Sequence, residues 1–348
     1  MSEMAKRLRE VLAAGKGTVL LVPHDFPDPD CLAATLGLQA LLDHWRIPAE
    51  IVHAGGMGRA ENKAMAGLLG IDHKAFAEID LTSCRGAILA DTQPGVGNNS
   101  LPESVPLLAV LDHHPLAEEQ AAAVPFVDVR TDFGSTSAMV LEYLDSEDVS
   151  IDANLATALF LGIRTDTDNL LRDASRQDVE GYVRLLPVVD LELVNKIVRP
   201  PLPDEYFSLL NTALKEARRH GEALVANLGY VEQPDFLSAV SDLLIQSKNA
   251  AWALAAGWSN ERVCLSLRIR PPRKNAANII RKTVGETGTG GGHALAAGGQ
   301  IPFGDDTPED ACKQAVARFL QAVGMGGEPS RFLCASPAAP DNHSAAGE

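Results

Sequence analysis

The sequence predicts an α/β fold with an N-terminal parallel-sheet domain and a smaller C-terminal α/β domain. The first observation is length, because 348 residues exceed one compact core and suit two, at roughly 100–200 residues per domain. The second is pattern: from residue 17, short aliphatic runs alternate with longer amphipathic stretches, which is typical of an open, mostly parallel sheet. The hydrophobic share of 46% and charged share of 22% exclude a disordered, collagenous or coiled-coil chain.

The elements of the first domain are expected to follow one another from residue 18. Short apolar runs predict strands at 18–22, 51–54, 86–90, 107–111 and 126–129. Amphipathic stretches predict helices at 31–45, 61–69, 135–144 and 153–163. Ser135 and Asp152 stand where helix N-caps are expected, since their side chains can accept a hydrogen bond from the first turn.

Prolines and composition place the domain boundaries. Four prolines interrupt helical patches, so we expect a first domain at 1–186 and a helical linker at 187–221 that contains one amphipathic helix. The second domain, 222–324, carries strand-like runs and a final helical pattern. Residues 325–348 are rich in Gly, Pro, Ser and Ala, which favours a flexible tail.

Charge and cysteine content limit the classes of partner. A net charge of −16 opposes the attraction by which proteins grip long duplex nucleic acid, but bound cations could still admit a short phosphorylated substrate. Five cysteines without a C-x-x-C pair disfavour a disulfide framework or a zinc knuckle. No apolar run approaches the roughly 18 residues of a membrane span, so we expect a cytoplasmic protein that contacts no membrane.

Acidic and histidine side chains follow three predicted strands and one predicted helix. Loops at the carboxyl ends of parallel strands converge on one crevice, so these side chains are expected to face a common site. The candidates are His24, Asp28, Asp30, Asp91, Asp112, His113, His114 and Asp166.

Each group also has a structural interpretation. Asp28 and Asp30 lie in a segment rich in Asp and Pro, which are ordinary turn formers. Asp91 could cap a turn, and Asp166 could belong to a polar helix end. The triplet 112–114 is harder to explain in this way, because polar residues packed densely after an apolar strand are costly unless hydrogen-bonded or ligated. Within it, Asp112 can hold an imidazole in one tautomer.

Taken together, the four carboxylates of Asp28, Asp30, Asp91 and Asp166 and two of the histidines form the ligand set of a two-cation site. Hard divalent ions suit such a set, and imidazole favours manganese, with magnesium as the alternative. Two divalent cations would neutralise the four carboxylates.

The motifs, in this order, resemble those of the DHH phosphoesterase family, which includes RecJ-like exonucleases, family II pyrophosphatases, nano-RNases and cyclic-dinucleotide phosphodiesterases. The family triplet is Asp112-His113-His114, and the other motifs correspond to 24–30, Asp91 and 165–167. Gly290-Gly291-Gly292-His293 is similar to the signature of the C-terminal DHH-associated domain. The resemblance covers nearly the whole chain.

This resemblance implies roles for individual residues. His24, Asp28, Asp91 and Asp166 would hold one metal, and Asp30, Asp91, His113 and Asp166 the other. His114 and His293 would approach the substrate phosphate in a cleft between the two domains, and Asp112 would complete the catalytic group. A homodimer is the assembly that the family implies.

Three positions depart from the family pattern. Phe26 stands where the first motif has Asn, and Pro29 stands where it has Gly. Pro29 fixes φ at about −65° and removes an N–H group, so the turn between Asp28 and Asp30 must differ or be stiffer. Asp168 stands where the fourth motif has Gly, so it is an alternative to Asp166 as a metal ligand.

The second domain offers two candidate substrate-binding features. Seven glycines fall within 285–299, and their N–H groups could line an anion pocket, although a flexible loop has the same composition. The segment 262–282 carries seven basic residues and no acid, which suits phosphate recognition or a solvated basic face. Arg268 is the preferred contact, together with Gly290, Gly291, Gly292 and His293.

The resemblance therefore implies a phosphoester hydrolase that uses a two-metal-activated hydroxide. A chain with only these two domains favours the branch acting on short single-stranded oligonucleotides or on 3′-phosphoadenosine 5′-phosphate (pAp). Cyclic or linear dinucleotides are the alternative substrates. A non-catalytic nucleotide-binding regulator belongs to another class, and the presence of all six ligands argues against it.

Overall fold

A computed structural model describes residues 2–54, 57, 59–116, 121–270, 273, 275–292 and 295–334. The chain divides into two compact units, the first ending at Pro201 and the second beginning at Leu202. Both are α/β, the first built on a parallel sheet, so the predicted fold class is confirmed.

The first unit contains a six-stranded parallel sheet in the order β3-β2-β1-β4-β5-β6. The strands are β1 (Thr18–Val22), β2 (Ala49–His53), β3 (His73–Ala75), β4 (Cys84–Ala90), β5 (Leu107–Asp112) and β6 (Phe126–Val129). Strand order reverses between β1 and β4. Ligands of open α/β sheets bind at the carboxyl ends of the strands beside such a reversal.

Both faces of this sheet are covered, which explains why β1, β4 and β5 are mostly apolar rather than alternating. Val19 and Leu21 of β1 point into a large core shared with the helices, whereas Leu20 and Val22 point into a smaller core on the other face. The helices are α1 (Glu3–Ala13), α2 (Pro29–His44), α3 (Ala60–Leu68), α4 (Thr136–Ser146), α5 (Ala153–Asp166), α6 (Arg176–Leu185) and α7 (Leu191–Val198).

Helices α2, α4 and α5 pack closely because glycines stand at their crossings. A Cβ added to Gly37 would lie 2.6 Å from Val140 Cγ1, and one added to Gly162 would lie 2.1 Å from Ser137 Oγ. The two predicted N-caps are confirmed: Ser135 accepts from Ala138 N at the start of α4, and Asp152 caps α5. The start of α4, which bears on the site, is therefore fixed by its own cap.

The second unit contains a seven-stranded sheet in the order β11-β12-β10-β9-β8-β7-β13. Its strands are β7 (Arg218–His220), β8 (Ala223–Tyr230), β9 (Trp252–Ser259), β10 (Arg262–Ile269), β11 (Thr289–Gly292), β12 (Ala296–Pro302) and β13 (Ser330–Phe332). The pairings are antiparallel except between β8 and β9. Its helices are α8 (Asp204–Glu216), α9 (Phe236–Ile245), α10 (Ala276–Val284) and α11 (Pro308–Ala322).

Two segments lie near the expected domain boundaries. In residues 187–221, Ile197 of α7 is buried in the first core and Ala213 of α8 in a core of the second unit. The expected tail after 324 includes β13, which pairs with β7, and Leu333 N donates to Ala217 O at 2.8 Å. The tail residues 335–348 lie outside the described residues.

Within the part of the chain that the structure describes, no helix combines the length and the apolar character that crossing a membrane requires.

Candidate metal centre

The loop after β1 supplies the first candidate ligands. Asp28 is the N-cap of α2, and its Oδ1 accepts from Asp30 N at 3.0 Å and from Cys31 N at 3.1 Å. His24 Nε2 lies 3.7 Å from Asp28 Oδ2. Pro29 occupies the first helical position, where a missing N–H group costs nothing and the fixed φ suits the helix. This departure from the family motif therefore fits a helix that starts between the two acids.

Asp30 is fully buried and faces the start of α4. Its Oδ2 accepts from Thr136 N at 2.7 Å and its Oδ1 from Ser137 N at 2.9 Å. These are otherwise unpaired N–H groups of a helix N-terminus, where negative charge is stabilised. Even so, burial, with the neighbouring Asp166 carboxylate, raises the pKa of Asp30 to about 7.

Asp91 lies at the centre of the cluster, directly after β4. Its φ of 60° places it in the left-handed region, which re-aims the side chain at the strand end. The carboxylate is 2% exposed, and its Oδ1 accepts from Thr136 Oγ1 at 2.8 Å. Its Oδ2 lies 3.8 Å from His24 Nε2, and its Oδ1 lies 3.5 Å from His113 Nε2. Burial, together with the carboxylates of Asp30 and Asp166, raises its pKa well above the usual value.

The end of β5 presents two histidines in different settings. His113 Nε2 is buried without a hydrogen-bond partner among the described residues, although Asp166 Oδ2 lies 3.1 Å away. His114 Nδ1 lies 2.8 Å from Asp112 Oδ1, and Asp112 Oδ2 accepts from Gln93 Nε2 at 2.7 Å. Asp112 thus orients the His114 ring rather than facing the cluster itself.

The end of α5 brings Asp166, and not Asp168, to the cluster. Asp166 is the last residue of the helix, where its Oδ2 meets His113. Asp168 follows with a φ of 46° and an exposed side chain. The left-handed turn after the helix carries it away from the other acids.

The donor atoms fit a bound cation. Ligand atoms of Asp30, Asp91, His113 and Asp166 lie within 4.8 Å of one another, and those of His24, Asp28 and Cys31 form a neighbouring group. Crowded carboxylates with raised pKa values and a buried imidazole nitrogen that lacks a hydrogen bond are groups that a cation would satisfy. The Cys31 thiol donates to Asp28 O, and burial raises its pKa well above the usual value.

The sequence reasoning missed the residues that hold the ligands in place. Thr136 and Ser137 bind Asp30, and Asp178 fixes the turn that precedes them: its carboxylate accepts from Gly134 N at 2.7 Å and from Ser135 Oγ at 2.7 Å. The Asp178 side chain is fully buried. The sequence predicted the N-cap at Ser135. Asp178 lies 43 residues further along the chain, so the hydrogen bond between the two could not be predicted.

The candidate residues of the second unit have local partners. Arg268 is 13% exposed and donates to both carboxylate oxygens of Asp242. The glycine segment forms a hairpin of β11 and β12 rather than a loop, and a Cβ at Gly290 would lie 2.5 Å from Ile280 Cγ2. Gly290 thus lets α10 pack directly on the hairpin. Substrate roles for Arg268, Gly290, Gly291 and Gly292 stay predictions, and His293 lies outside the described residues.

The fold and the site together define a two-unit α/β protein with a cluster of candidate cation ligands where the parallel sheet of its first unit reverses order. Two family models match it: the DHH family, N-terminal domain, over residues 18–163, and the DHHA1 domain over residues 220–324. The chain belongs to the DHH phosphoesterase family.

Two curated relatives and one solved structure illustrate the range of the family. The chain is 32% identical over 320 residues to Uncharacterized protein MJ1633 of Methanocaldococcus jannaschii, which covers 89% of this chain and 65% of that protein. It is 24% identical over 316 residues to the cyclic-di-AMP phosphodiesterase GdpP of Bacillus subtilis, covering 84% of this chain and 46% of that protein. The chain thus spans about half to two-thirds of the length of these relatives.

An exopolyphosphatase-related protein from Bacteroides fragilis shares the fold. The TM-score is 0.74 at 17% sequence identity, and the match covers 94% of this chain and all of that one.

Proposed function

We propose that this protein is a metal-dependent phosphoesterase that acts on nucleotide substrates. The observation that carries the proposal is the cluster of Asp30, Asp91, His113 and Asp166 at the reversal of the parallel sheet. Buried carboxylates at this density are costly without compensating positive charge. Phosphoester hydrolysis is the chemistry that needs positive charge concentrated beside a bound phosphate.

Six side chains would hold two divalent cations. His24 and Asp28 serve one ion, Asp30 and His113 serve the other, and Asp91 and Asp166 serve both. Mixed oxygen and imidazole donors favour manganese over magnesium. When bound, such ions neutralise phosphate charge and lower the pKa of water toward neutrality.

The protein itself contributes position and hydrogen bonds. Asp112 fixes the orientation of the His114 ring through Nδ1, and His114 would approach a phosphate oxygen of the substrate. Helix α4 fixes Asp30 and Asp91 through Thr136, so that these two carboxylates keep their separation when substrate enters. A substrate-binding role for His293 is proposed on the family resemblance alone.

Short oligonucleotides and pAp are the proposed substrates. A net charge of −16 disfavours long duplex nucleic acid, whereas a small substrate interacts with the local field of the centre. Linear or cyclic dinucleotides are the second candidate, which the similarity to a cyclic-di-AMP phosphodiesterase favours. We propose a homodimer as the assembly.

A substrate panel tests the proposal. The purified chain is incubated with pAp, the dinucleotide pApA, oligomers of two to five nucleotides, cyclic dinucleotides and pyrophosphate, each with Mn²⁺, Mg²⁺ or a chelator. Metal-dependent hydrolysis of pAp or short oligomers is the expected result. Turnover restricted to cyclic dinucleotides would select the second candidate, and no metal-dependent turnover would contradict the proposal.

A further inference from the structure

We propose that the phenyl ring of Phe26 stacks on a nucleobase of the substrate, so that the centre takes base-bearing phosphoesters in preference to inorganic phosphate chains. The inference rests on the proposed function and names the feature of the substrate that the site recognises. The Phe26 side chain is 62% exposed. Because isolated exposed apolar side chains are common, the inference depends on where this ring lies and how it is held.

The position of Phe26 links it to the metal centre. It lies two residues after His24 and two residues before Asp28. Two residues of chain span at most about 7 Å, so its Cα lies within that distance of the Cα of either candidate ligand. The proposal places this exposed ring beside the space that a phosphate at the centre would occupy.

The backbone on both sides of Phe26 is anchored. Before it, Asp25 N donates to Asn98 O at 2.7 Å, and Asp25 Oδ2 accepts from Ser100 Oγ at 2.8 Å. After it, Pro27 is buried, and its carbonyl accepts from the buried Asn62 Nδ2 at 2.7 Å. The loop thus holds Phe26 firmly while leaving its ring in water.

This combination suits a flat apolar ligand. Because the backbone on both sides of Phe26 is already anchored, no loop has to become ordered when a ligand stacks on the ring. Every nucleobase has a π-face, and base stacking on aromatic side chains tolerates different sequences. An inorganic phosphate chain offers no apolar face, and a phenyl ring offers it no hydrogen-bond donor.

Two ligands that differ in the base alone test the inference. Calorimetry on the full chain with Mn²⁺ measures the affinity for adenosine 5′-monophosphate and for ribose 5-phosphate. We expect Phe26→Ala to weaken binding of the nucleotide by about 5- to 100-fold, the range for loss of one base stack, and to leave ribose 5-phosphate binding unchanged. Phe26→Trp should retain nucleotide binding, since the larger ring also stacks.

Phe207 provides a matched control, because it is a phenylalanine of α8 that is 57% exposed. Phe207→Ala should change neither affinity. Unchanged nucleotide binding in Phe26→Ala, or equal weakening of both ligands, would overturn the inference.

Hydrolysis of pApA by the same samples tests the proposed function separately. If pApA is hydrolysed but Phe26→Ala leaves nucleotide binding unchanged, the stacking role alone is refuted. Nucleotide binding that depends on Phe26 without any turnover would refute the hydrolase and support the stacking role.

Discussion

Thr136 connects two carboxylates of the metal centre through different atoms. Its backbone N–H donates to Asp30, and its hydroxyl donates to Asp91. Replacement of the side chain can therefore remove one contact while keeping the other, which separates the orientation of Asp91 from that of Asp30.

Thr136→Val should weaken Mn²⁺ binding about 10- to 100-fold, the usual effect of losing a hydrogen bond that orients a metal ligand. Isothermal calorimetry measures this affinity. Thr136→Ser keeps the hydroxyl and should restore most of it. Equal affinity in the valine variant and the wild type would show that Thr136 does not orient Asp91.

Asp91→Asn should abolish both hydrolysis and high-affinity Mn²⁺ binding. The carboxylate lies at the centre of the cluster, and a neutral amide in its place removes charge that both proposed cations share. Assays of pAp or dinucleotide hydrolysis with added Mn²⁺ measure the loss, with Asp168→Asn as a control that should retain activity because Asp168 is exposed. Hydrolysis by the wild type that resists a chelator would contradict the metal requirement.

At the residue scale, sequence patterns pointed to the acidic and histidine candidates because these residues directly follow apolar strands or an apolar helix. The structure brings Asp91, His113 and Asp166 together as those patterns suggested. Asp178 was missed, since a buried carboxylate that binds a distant turn leaves no periodic or local signature. Arg268 was predicted to contact the substrate because it lies near the glycine segment. Its ion pair with Asp242, on another element, could not be predicted from the sequence.

Helix α5 approaches α4 and α2 closely because Gly162 has no side chain. The nearest atoms to an added Cβ would be Ser137 Oγ at 2.1 Å and Ala33 Cβ at 3.0 Å. Ser137 is also a backbone donor to Asp30. The helix packing and the metal centre are thus coupled through one turn of α4.

Gly162→Ala should lower the free energy of unfolding by about 1–3 kcal/mol, as overpacking of a close helix crossing does, and should also weaken Mn²⁺ binding. Urea denaturation measures the stability. Gly67→Ala is the matched control, because Gly67 lies in α3 with nothing within 4 Å of an added Cβ. Alanine there should raise stability by up to about 1 kcal/mol through helix propensity. A Gly162→Ala variant with unchanged unfolding free energy would contradict the close packing of α5 against α4 and α2.

At the element scale, five strands of the first sheet were predictable because they are short, mainly apolar runs between polar loops. β3 was not, since its three residues include His73 and Lys74 and pair at a sheet edge. The glycines of β11 resembled a loop, and only the packing of Ile280 against them explains why a strand forms there. Local composition could not reveal that contact.

At the scale of the whole molecule, folding stability should change with pH in opposite directions with and without bound metal. Burial with the Asp166 carboxylate raises the pKa of Asp30 to about 7, and the pKa of His113 rises to about 9 because Asp166 and Asp30 outweigh burial. Both values exceed those of an unfolded chain, about 4 and 6.5. The folded, metal-free protein therefore holds extra protons between about pH 4 and 9, and its stability should fall as pH rises through that window.

Thermal unfolding between pH 5 and 9 checks this direction. With Mn²⁺ present, stabilisation should instead grow with pH, because ligands must lose protons to bind a cation. Below pH 7, the melting temperature of the metal-free Asp30→Asn variant should depend less on pH than that of the wild type. A metal-free melting temperature that rises from pH 5 to 9 in the wild type would refute the raised pKa values.

The short strand β13 at the far edge of the second sheet bears on self-association. It pairs with β7 through Ser330–Phe332 and carries Arg331, a charged residue on an exposed edge. Charged, very short edge strands resist pairing with a second molecule, whereas an uncovered strand offers free N–H and C=O groups. A chain truncated after Gly324 would expose the outer edge of β7. Because β7 is as short as β13 and carries Arg218 and Arg219, its uncovered edge should also resist pairing, so light scattering by the truncated chain should show no aggregation as protein concentration increases.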